Sequence, residues 1–385
     1  MANKPTGKVV VLGGYGVLGT HVVRELIETT DAEIAIAGRS EARAKELAAR
    51  YRGRALGKAV DARDEGQVSE ALDGADVVVH CAGPFGDAFP VVANAAADLG
   101  VHYVDVSDSR DFFLTVRKAM DDREGLASAV ISGLGEFAGL TAMMAMAGAE
   151  GYEGVEEVHA SVMVGGRTRM GPARLAGVLQ SLTAEFPVMI SGGYHLSRAM
   201  TDWELIQFPD PFGKRWVYLA NTPDYEVMYK KFKLSTFKAK MGFDPHGLDR
   251  IVRICGWTRS LWGPRWRDAV VRSAYAFAKG LEGDLEGDCV MVRVYGKRAG
   301  LTDATVLSLS GGPETPALGA LPAAVATRAL LAGEVRRKGW ITPFEWMEHG
   351  AFFDRIAARG VKLVRHGREV LEVGPGRTHG GPHAP

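Results

Sequence analysis

A glycine-rich turn near the start of the chain constrains the fold most. It lies where residues 8–29, KVVVLGGYGVLGTHVVRELIET, pass from a short apolar run to a helix-like pattern, and Gly14, Gly16 and Gly19 give it the spacing GxGxxG. Such a turn lets the backbone approach a pyrophosphate, and the N–H groups at the start of the helix face the phosphates. A loop that only needs small residues would look the same, so the context of the turn decides its meaning.

That context is a regular alternation of strands and helices. After the first strand, strands are predicted at 32–38, 54–62, 75–83, 101–107 and 129–135, with helical patterns between them. Strand–helix alternation with short turns is typical of a doubly wound parallel sheet. We therefore predict an α/β fold in which residues 1–135 form a Rossmann domain that binds a dinucleotide at the strand ends.

The end of the second predicted strand indicates which dinucleotide. NAD-binding versions place an Asp or Glu there, which accepts hydrogen bonds from the ribose 2′-OH. This chain has Ala37 and Gly38 instead, followed by Arg39 and Ser40. A guanidinium can bind a 2′-phosphate bidentately, so NADP(H) is favoured over NAD(H). The alternative is that Arg39 is a solvated residue at a helix start.

The predicted cofactor residues all lie at the ends of the first four strands or in the glycine-rich turn. They are Gly13, Gly14, Tyr15, Gly16, Val17, Leu18, Gly19, Arg39, Ser40, Asp61, Ala62, Cys81, Ala82, Gly83 and Pro84.

Composition limits the other classes of function. Lys and Arg together number 46, as do Asp and Glu, so no overall charge favours binding to nucleic acid. Cys81, Cys255 and Cys289 are far apart, which argues against a disulfide framework and fits a reducing, cytoplasmic location. The apolar stretch 129–149 contains glycines and Glu136, and is interpreted as a strand and a helix rather than a membrane span. No HExxH or similar motif indicates a metal site, and no GxSxG elbow occurs.

The pattern of predicted strands and helices changes beyond residue 150. Strands with polar alternation are predicted at 155–166, 203–208, 214–220, 225–241 and 288–312, and a helix is predicted near PARLAGVLQSLTAEF (172–186). This pattern favours a second, α+β domain at 136–314, built on an antiparallel sheet. Helices and a strand at 315–372 should pack back on the first domain, and the tail 373–385 should be disordered.

Four stretches together resemble the saccharopine dehydrogenase-like oxidoreductases. They are GGYGVLG with AGRS, HCAGPFGDAFPVVANAAADLGVHYVDVSD (80–108), GLGEFAGLTA (133–142) and LGALPAAVATRALLAGEVRRKGWITPFEWME (318–348). The resemblance implies NADP-linked hydride transfer and leaves the substrate open. Amino-acid-handling members typically have a DPG(I/L)DH-type turn where this chain reads Glu136–Thr141, without the polar pair. That departure counts against a zwitterionic substrate.

Three functions remain open. The leading one is an NADP(H)-dependent reductase that transfers hydride to a C=C or C=N bond of an apolar or bulky small molecule. The second is an amino-acid or opine-type dehydrogenase acting through an imine, in which Arg167, Arg169 and Arg174 would bind a carboxylate. The third is a non-catalytic dinucleotide-binding scaffold.

Tyr103 and Glu136 are the predicted catalytic residues. Tyr103 lies near the end of the fifth strand and is the first choice as general acid, although its side chain could simply pack. Glu136 is the second choice, because a carboxyl in an apolar, glycine-rich turn can have a raised pKa. Its structural alternative is a carboxylate that complements a helix dipole. His102 and Asp105 are expected to serve structure.

Two further segments carry rival interpretations. Tyr229 and Lys233 fit the YxxxK pair of short-chain dehydrogenases, but in a strand their side chains would be about 13 Å apart, so we set the pair aside. The segment 256–280 concentrates tryptophans among arginines. It could form a lid, a homodimer contact, a peripheral membrane contact or a half-buried helix pair, whereas the balanced charge disfavours nucleic acid.

Overall fold

The computed structural model describes residues 4–51, 53–85, 89–165, 171–182, 185–244 and 285–366, together with five single positions between 252 and 276. Several predictions lie outside these residues: the roles of Arg167 and Arg169, nearly all of the segment 256–280, and the tail 373–385. None of the helices in the described ranges is long and apolar enough to cross a membrane.

Strands and helices alternate through the first part of the chain. The strands are β1 (Lys8–Leu12), β2 (Glu33–Gly38), β3 (Ala55–Ala59), β4 (Val77–His80), β5 (His102–Asp105), β6 (Ala129–Ile131), β7 (Gly154–Val164), β8 (Glu185–Ile190), β9 (Gly193–Arg198), β10 (Trp203–Gln207), β11 (Lys214–Leu219), β12 (Thr236–Phe243), β13 (Asp288–Arg298), β14 (Leu301–Ser310), β15 (Gly339–Trp340) and β16 (Val364–His366).

The helices between them include long ones on both faces of the first sheet. They are α1 (Val17–Thr29), α2 (Glu41–Ala48), α3 (Glu65–Leu72), α4 (Val91–Leu99), α5 (Arg110–Asp121), α6 (Gly139–Gly148), α7 (Pro172–Ser181), α8 (Asp224–Phe232), α9 (Leu321–Leu331) and α10 (His349–Ala357). Short 3-10 helices span Ala49–Tyr51 and Leu318–Ala320.

The first sheet has seven parallel strands in the order β15-β6-β5-β4-β1-β2-β3. Alternate residues of β1 enter different cores: Val9 and Val11 pack with α1 and α2, whereas Val10 and Leu12 pack with α3, α4 and α5. A sheet that is buried on both faces needs continuous apolar strands, which is the pattern these segments have. The predicted doubly wound parallel sheet is confirmed, and the strand order reverses between β1 and β4.

The second sheet has the order β10-β11-β12-β7-β13-β14-β16. Its strands pair antiparallel with one exception, because β12 runs parallel to β7 over eight paired positions. The predicted α+β unit is confirmed, and its sheet is mixed rather than purely antiparallel. Helix α6 packs on β13 and β14, and the buried residues of both sheets join there in one core.

Two segments of the second unit differ from prediction. The predicted strand at 225–241 is wrong in its first half: Tyr225 and Met228 are buried at helical spacing in α8, which ends at Lys233 with φ of +53°. Tyr229 and Lys233 therefore lie at the end of a helix. The argument that their side chains are about 13 Å apart, which assumed a strand, does not apply. The predicted helix at 172–186 ends at Ser181, and β8 and β9 then form an antiparallel hairpin.

The chain after residue 315 contacts both sheets. Helix α9 packs on α1, β4 and β5, and β15 extends the first sheet beside β6. The last described strand differs from the prediction that this segment returns to the first domain, because β16 pairs with β14 of the second sheet. After α10, Arg359 donates to both carboxylate oxygens of Glu25 on α1, at 2.8 and 3.0 Å, and it also pairs with Glu28.

Replacing Arg359 should destabilise the protein through α1. Glu25 is only 2% exposed, so Arg359→Gln leaves a buried carboxylate without its cation. We expect the free energy of unfolding in urea to fall by about 3 kcal/mol. Arg117→Gln is the matched control, because the Arg117–Asp121 pair is solvent-exposed within α5 and should cost less than about 1 kcal/mol. Equal losses in the two variants would contradict the predicted anchoring role.

Candidate functional site

The glycine-rich turn is a tight contact between three strand ends. Gly13 has φ of +76°, and its N–H donates to the carbonyl of Ala37 at the end of β2, at 2.7 Å. A Cβ on Gly13 would lie 2.7 Å from the backbone of Cys81, beyond β4, and a Cβ on Gly19 would lie 2.1 Å from the Gly13 carbonyl oxygen. Because these neighbours are backbone atoms, only glycine fits, and α1 begins with its N–H groups at the carboxyl edge of the sheet.

Tyr15 organises the end of β2. A Cβ on Gly38 would lie 2.7 Å from the Tyr15 ring, and the Tyr15 hydroxyl accepts a hydrogen bond from the Ser40 N–H at 2.8 Å. The guanidinium of Arg43 lies 4.6 Å from the centre of the same ring. Arg39 is exposed beside this group. Sequence reasoning missed Arg43, although its position three residues after the helix-capping Ser40 was a usable signal.

The end of β3 carries a third arginine. Arg63 donates to the Asp61 carboxylate, and these hydrogen bonds lower the pKa of Asp61, with a smaller contribution from the charge of Arg39. The predicted residues Arg39 and Asp61 are thus close enough to interact. Ala62 follows directly, half-buried against the core on that side of the sheet.

The end of β4 meets helix α7. A Cβ on Gly83 would lie 3.6 Å from the Cβ of Ala173, and one on Gly171 would lie 2.8 Å from a methyl group of Val17. The start of α7 therefore spans the glycine-rich turn and the residues after β4. Burial raises the pKa of the Cys81 thiol far above its ordinary value, so this predicted contact residue carries no reactive thiolate.

The Tyr103 side chain lies in the interior of the protein. It is fully buried, and its hydroxyl donates to Asp105 at 3.0 Å and contacts Nδ1 of His80 at 3.2 Å. Burial, and then the charge of Asp105, raises the pKa of Tyr103 well above its ordinary value, and burial lowers that of His80 to about 4. These contacts favour the structural role of this hydroxyl over the general-acid role, which stays a prediction.

Glu136 is buried and forms an ion pair with an arginine. Both of its carboxylate oxygens bind the guanidinium of Arg174 on α7, and the side chain is 1% exposed. The 3-10 helix covers the pair, since a Cβ on Gly319 would lie 3.1 Å from Cγ of Glu136. The neighbouring Phe137 and Ala138 are buried, as an apolar turn requires, and the catalytic role of Glu136 stays a prediction. The pair ties α7 to the end of β6, a contact across 38 residues that the sequence does not indicate.

Two further carboxyl groups, missed in the sequence, lie beside this pair. Asp108 follows β5 and its Oδ1 accepts a hydrogen bond from the Phe137 N–H at 3.0 Å. Asp224 begins α8, accepts from the Ala138 N–H at 2.9 Å and binds the Thr141 hydroxyl. Burial is the main reason why the pKa of Asp108 is raised to about 8 and that of Asp224 to about 6. Protonatable groups are thus concentrated at the ends of β5 and β6.

The glycine contacts generate one prediction. Gly19→Ala places a methyl group against the Gly13 carbonyl, so the turn must open, and we expect a loss of about 2 kcal/mol in unfolding free energy. Gly177→Ala, in the interior of α7 with open space around it, should instead stabilise by about 0.5 kcal/mol. Chemical denaturation of both variants checks this, and a Gly19→Ala protein as stable as Gly177→Ala would refute the tight turn.

The buried hydroxyl of Tyr103 leads to a prediction about stability. Tyr103→Phe leaves an oxygen of Asp105 without its donor, which should cost about 1–3 kcal/mol in unfolding free energy while leaving NADPH affinity unchanged. Tyr229→Phe is the control, because that side chain is 40% exposed and should be neutral. If Tyr103→Phe retains full stability but loses NADPH oxidation, the residue is catalytic after all.

Comparison with known proteins supports the arrangement of the first sheet. Residues 9–137 match the family model described as the saccharopine dehydrogenase NADP binding domain. A search of curated proteins gave no significant match. Among solved structures, the apo saccharopine dehydrogenase (L-Glu forming) from Saccharomyces cerevisiae is 14% identical with a TM-score of 0.59, over 94% of this chain and 100% of that chain.

Other structural likenesses are looser. GenD2 from gentamicin A biosynthesis, in complex with NAD, is 14% identical with a TM-score of 0.42, over 95% of this chain and 97% of its own. A short-chain dehydrogenase/reductase from Veillonella parvula, in complex with NADP, is 16% identical with a TM-score of 0.26, over 32% of this chain and 69% of its own. Superpositions this loose establish nothing about cofactor or substrate. Residues 9–137 therefore match a saccharopine dehydrogenase NADP-binding domain, and the chain as a whole has a fold similar to that of the Saccharomyces cerevisiae enzyme.

Proposed function

We propose that this protein is an NADP(H)-dependent oxidoreductase that transfers hydride to a C=C or C=N bond of an apolar or bulky small molecule. The observation that carries the proposal is the combination of a glycine-rich turn with two arginines after β2, a strand that ends in Ala37 and Gly38 rather than in an acidic residue. Arg39 and Arg43 flank Ser40 there, and the Tyr15 ring holds Arg43 in place. A reduced nicotinamide, when bound, supplies the hydride.

The chain's own residues would hold the cofactor in sections along the sheet edge. In this proposal the backbone of Gly13–Gly19, including Val17 and Leu18, receives the pyrophosphate at the start of α1. Arg39, Ser40 and Arg43 would bind the 2′-phosphate, and Asp61 and Ala62 would border the adenine. Cys81, Ala82, Gly83 and Pro84 would line the nicotinamide side.

The occupied arginine supports an apolar substrate over an amino acid. The opine-type alternative needs cations that are free to bind a carboxylate, but Arg174 already engages both oxygens of Glu136. Taking Arg174 for a substrate would leave Glu136 buried without its partner, at a cost of several kcal/mol. The opine-type alternative would then depend on Arg167 and Arg169, which lie outside the described residues.

Further expectations about the protein stay predictions. They are a cytoplasmic location, a homodimer, and a peripheral membrane contact through 256–280. The scaffold alternative differs from the enzyme in one measurable way, since it requires cofactor binding without oxidation of NADPH by any imine or enone.

Calorimetric titration with NADPH and NADH tests the cofactor assignment. We expect NADPH to bind more tightly than NADH, and Arg39→Ala and Arg43→Ala each to weaken NADPH by about tenfold or more, because each removes a charge-assisted contact to phosphate. NADH affinity should change little. Arg50→Ala is the control, since its guanidinium lies in an exposed pair with Glu46 further along the same segment. Equal binding of both nucleotides by the wild type would overturn the NADP(H) assignment.

A further inference from the structure

The carboxyl groups near the ends of β5 and β6 lie where a nicotinamide ring would be expected. In a doubly wound sheet the dinucleotide crosses the carboxyl edge at the reversal between β1 and β4, with its two halves on opposite sides. The arginines beyond β2 mark the phosphate-bearing adenosine half. The nicotinamide half therefore extends towards β4, β5 and β6, beneath the start of α7. The inference drawn from this placement rests on the proposed function.

Three of the four carboxyl groups in this region are committed to structure. Asp105 accepts from the N–H groups of Gly133 and Ser107 and from Tyr103, Glu136 is held by Arg174, and Asp224 binds Ala138 and Thr141. These contacts use both oxygens of each group. All three side chains are at most 1% exposed. None of them can reach a substrate without breaking a buried contact.

Asp108 differs in both exposure and contacts. It is half-buried, and within the described part of the chain only its Oδ1 takes a hydrogen bond, from the Phe137 N–H. A Cβ on Gly135 would lie 2.4 Å from that oxygen, so glycine at 135 leaves room for the carboxyl to sit at the loop. One oxygen is therefore fixed by the backbone, and no described residue donates a hydrogen bond to the other.

The surroundings of Asp108 favour its protonated form. Burial is the main cause, and the negative charge of Glu136 and that of Asp224 add to it. Arg174 and the Phe137 N–H act in the opposite direction but do not cancel these effects, so the pKa of Asp108 rises to about 8. At neutral pH the group carries a proton that it can release, which is the state required of a general acid.

We propose that Asp108 is the proton donor of the reductase. For a C=N substrate, the nitrogen takes the proton of Asp108 as hydride adds to the carbon, giving an amine, the oxidised nicotinamide and the Asp108 carboxylate. For a C=C substrate, the carbon that does not receive hydride takes the proton. The Asp108 carboxylate regains its proton from solvent, so each turnover consumes one NADPH and one H⁺. Glu136 and Arg174 act on Asp108 through their charges, in opposite directions.

A titration that needs no substrate tests the placement of Asp108. Protein labelled with ¹³C in the aspartate carboxyl groups is followed by NMR from pH 5 to 10, alone and saturated with NADPH or NADP⁺. We expect one carboxyl signal titrating near pH 8 that is absent in Asp108→Asn. Its midpoint should fall by about one pH unit with NADP⁺ relative to NADPH, because the oxidised ring is positively charged and the reduced ring is neutral. Asp64→Asn, at the start of α3, is the control and should leave this signal unchanged.

Turnover provides the second readout. Asp108→Asn should bind NADPH normally. With any imine or enone that the wild type reduces, its kcat/KM should be lower by at least about 100-fold. The pH profile of the variant should also lack the decline in kcat/KM that the wild type shows above pH 8. Asp108→Glu should retain part of the activity. If Asp108→Asn folds poorly, Asp108→Ser replaces it in both experiments.

The possible outcomes distinguish a failure of the proton-donor assignment from a failure of the proposed function. The proton-donor assignment is overturned if the titration midpoint is the same with NADP⁺ and NADPH. It is also overturned if no signal that depends on Asp108 titrates near pH 8. In both cases the assignment of nucleotide binding is unaffected. A wild-type protein that binds neither nucleotide refutes the proposed function, and the inference then falls with it. That failure appears in the wild-type calorimetry before any variant is made.

Discussion

The backbone contact of Gly13 with the chain beyond β4 is the constraint on which the rest of the site depends. It brings the start of α1, the end of β2 and the end of β4 within hydrogen-bonding distance of one another, and leaves no room for a side chain. The position of α1 then sets what packs on it: α9 and the Arg359–Glu25 pair on one side, and the start of α7 over Val17 on the other. A single close approach thus links the cofactor cradle to both later parts of the chain.

Electrostatics divide the sheet edge into two halves. Beyond β2 and β3 the charged groups include the exposed arginines Arg39, Arg43 and Arg63, which suit a phosphate, although Arg63 is paired with Asp61. Beyond β5 and β6 they are buried or half-buried carboxyl groups, with Arg174 neutralising Glu136. Burial in that second half favours neutral forms, as the raised pKa values of Asp108 and Asp224 show. One half therefore favours an anion and the other favours protonated carboxyl groups.

Local patterns in the sequence were enough to predict the first sheet, because continuous apolar strands and a glycine turn are short-range signals. The dinucleotide-binding domain was predicted from the same signals, whereas NADP(H) was favoured because Arg39 and Ser40, and no acidic residue, follow the second strand. The segment 225–241 was misassigned because alternating aromatic and lysine residues satisfy strand and helix periods equally well, and burial of Tyr225 and Met228 against β12 decided between them. Glu136 and Arg174, or Asp108 and the Phe137 amide, are far apart in sequence. Their pairing depends on how the loops after β5 and β6 fold against α7, which no local pattern encodes.

The short strand β15 has a consequence for how the protein tolerates truncation and folds. It covers the β6 edge of the first sheet, and the same C-terminal segment then supplies β16 to the edge of the second. An uncovered edge strand offers unpaired backbone groups to other chains and promotes aggregation. Because one late segment covers both edges, neither sheet is protected until that segment has been synthesised and has docked. Loss of the last fifty or so residues would therefore expose the β6 and β14 edges at once.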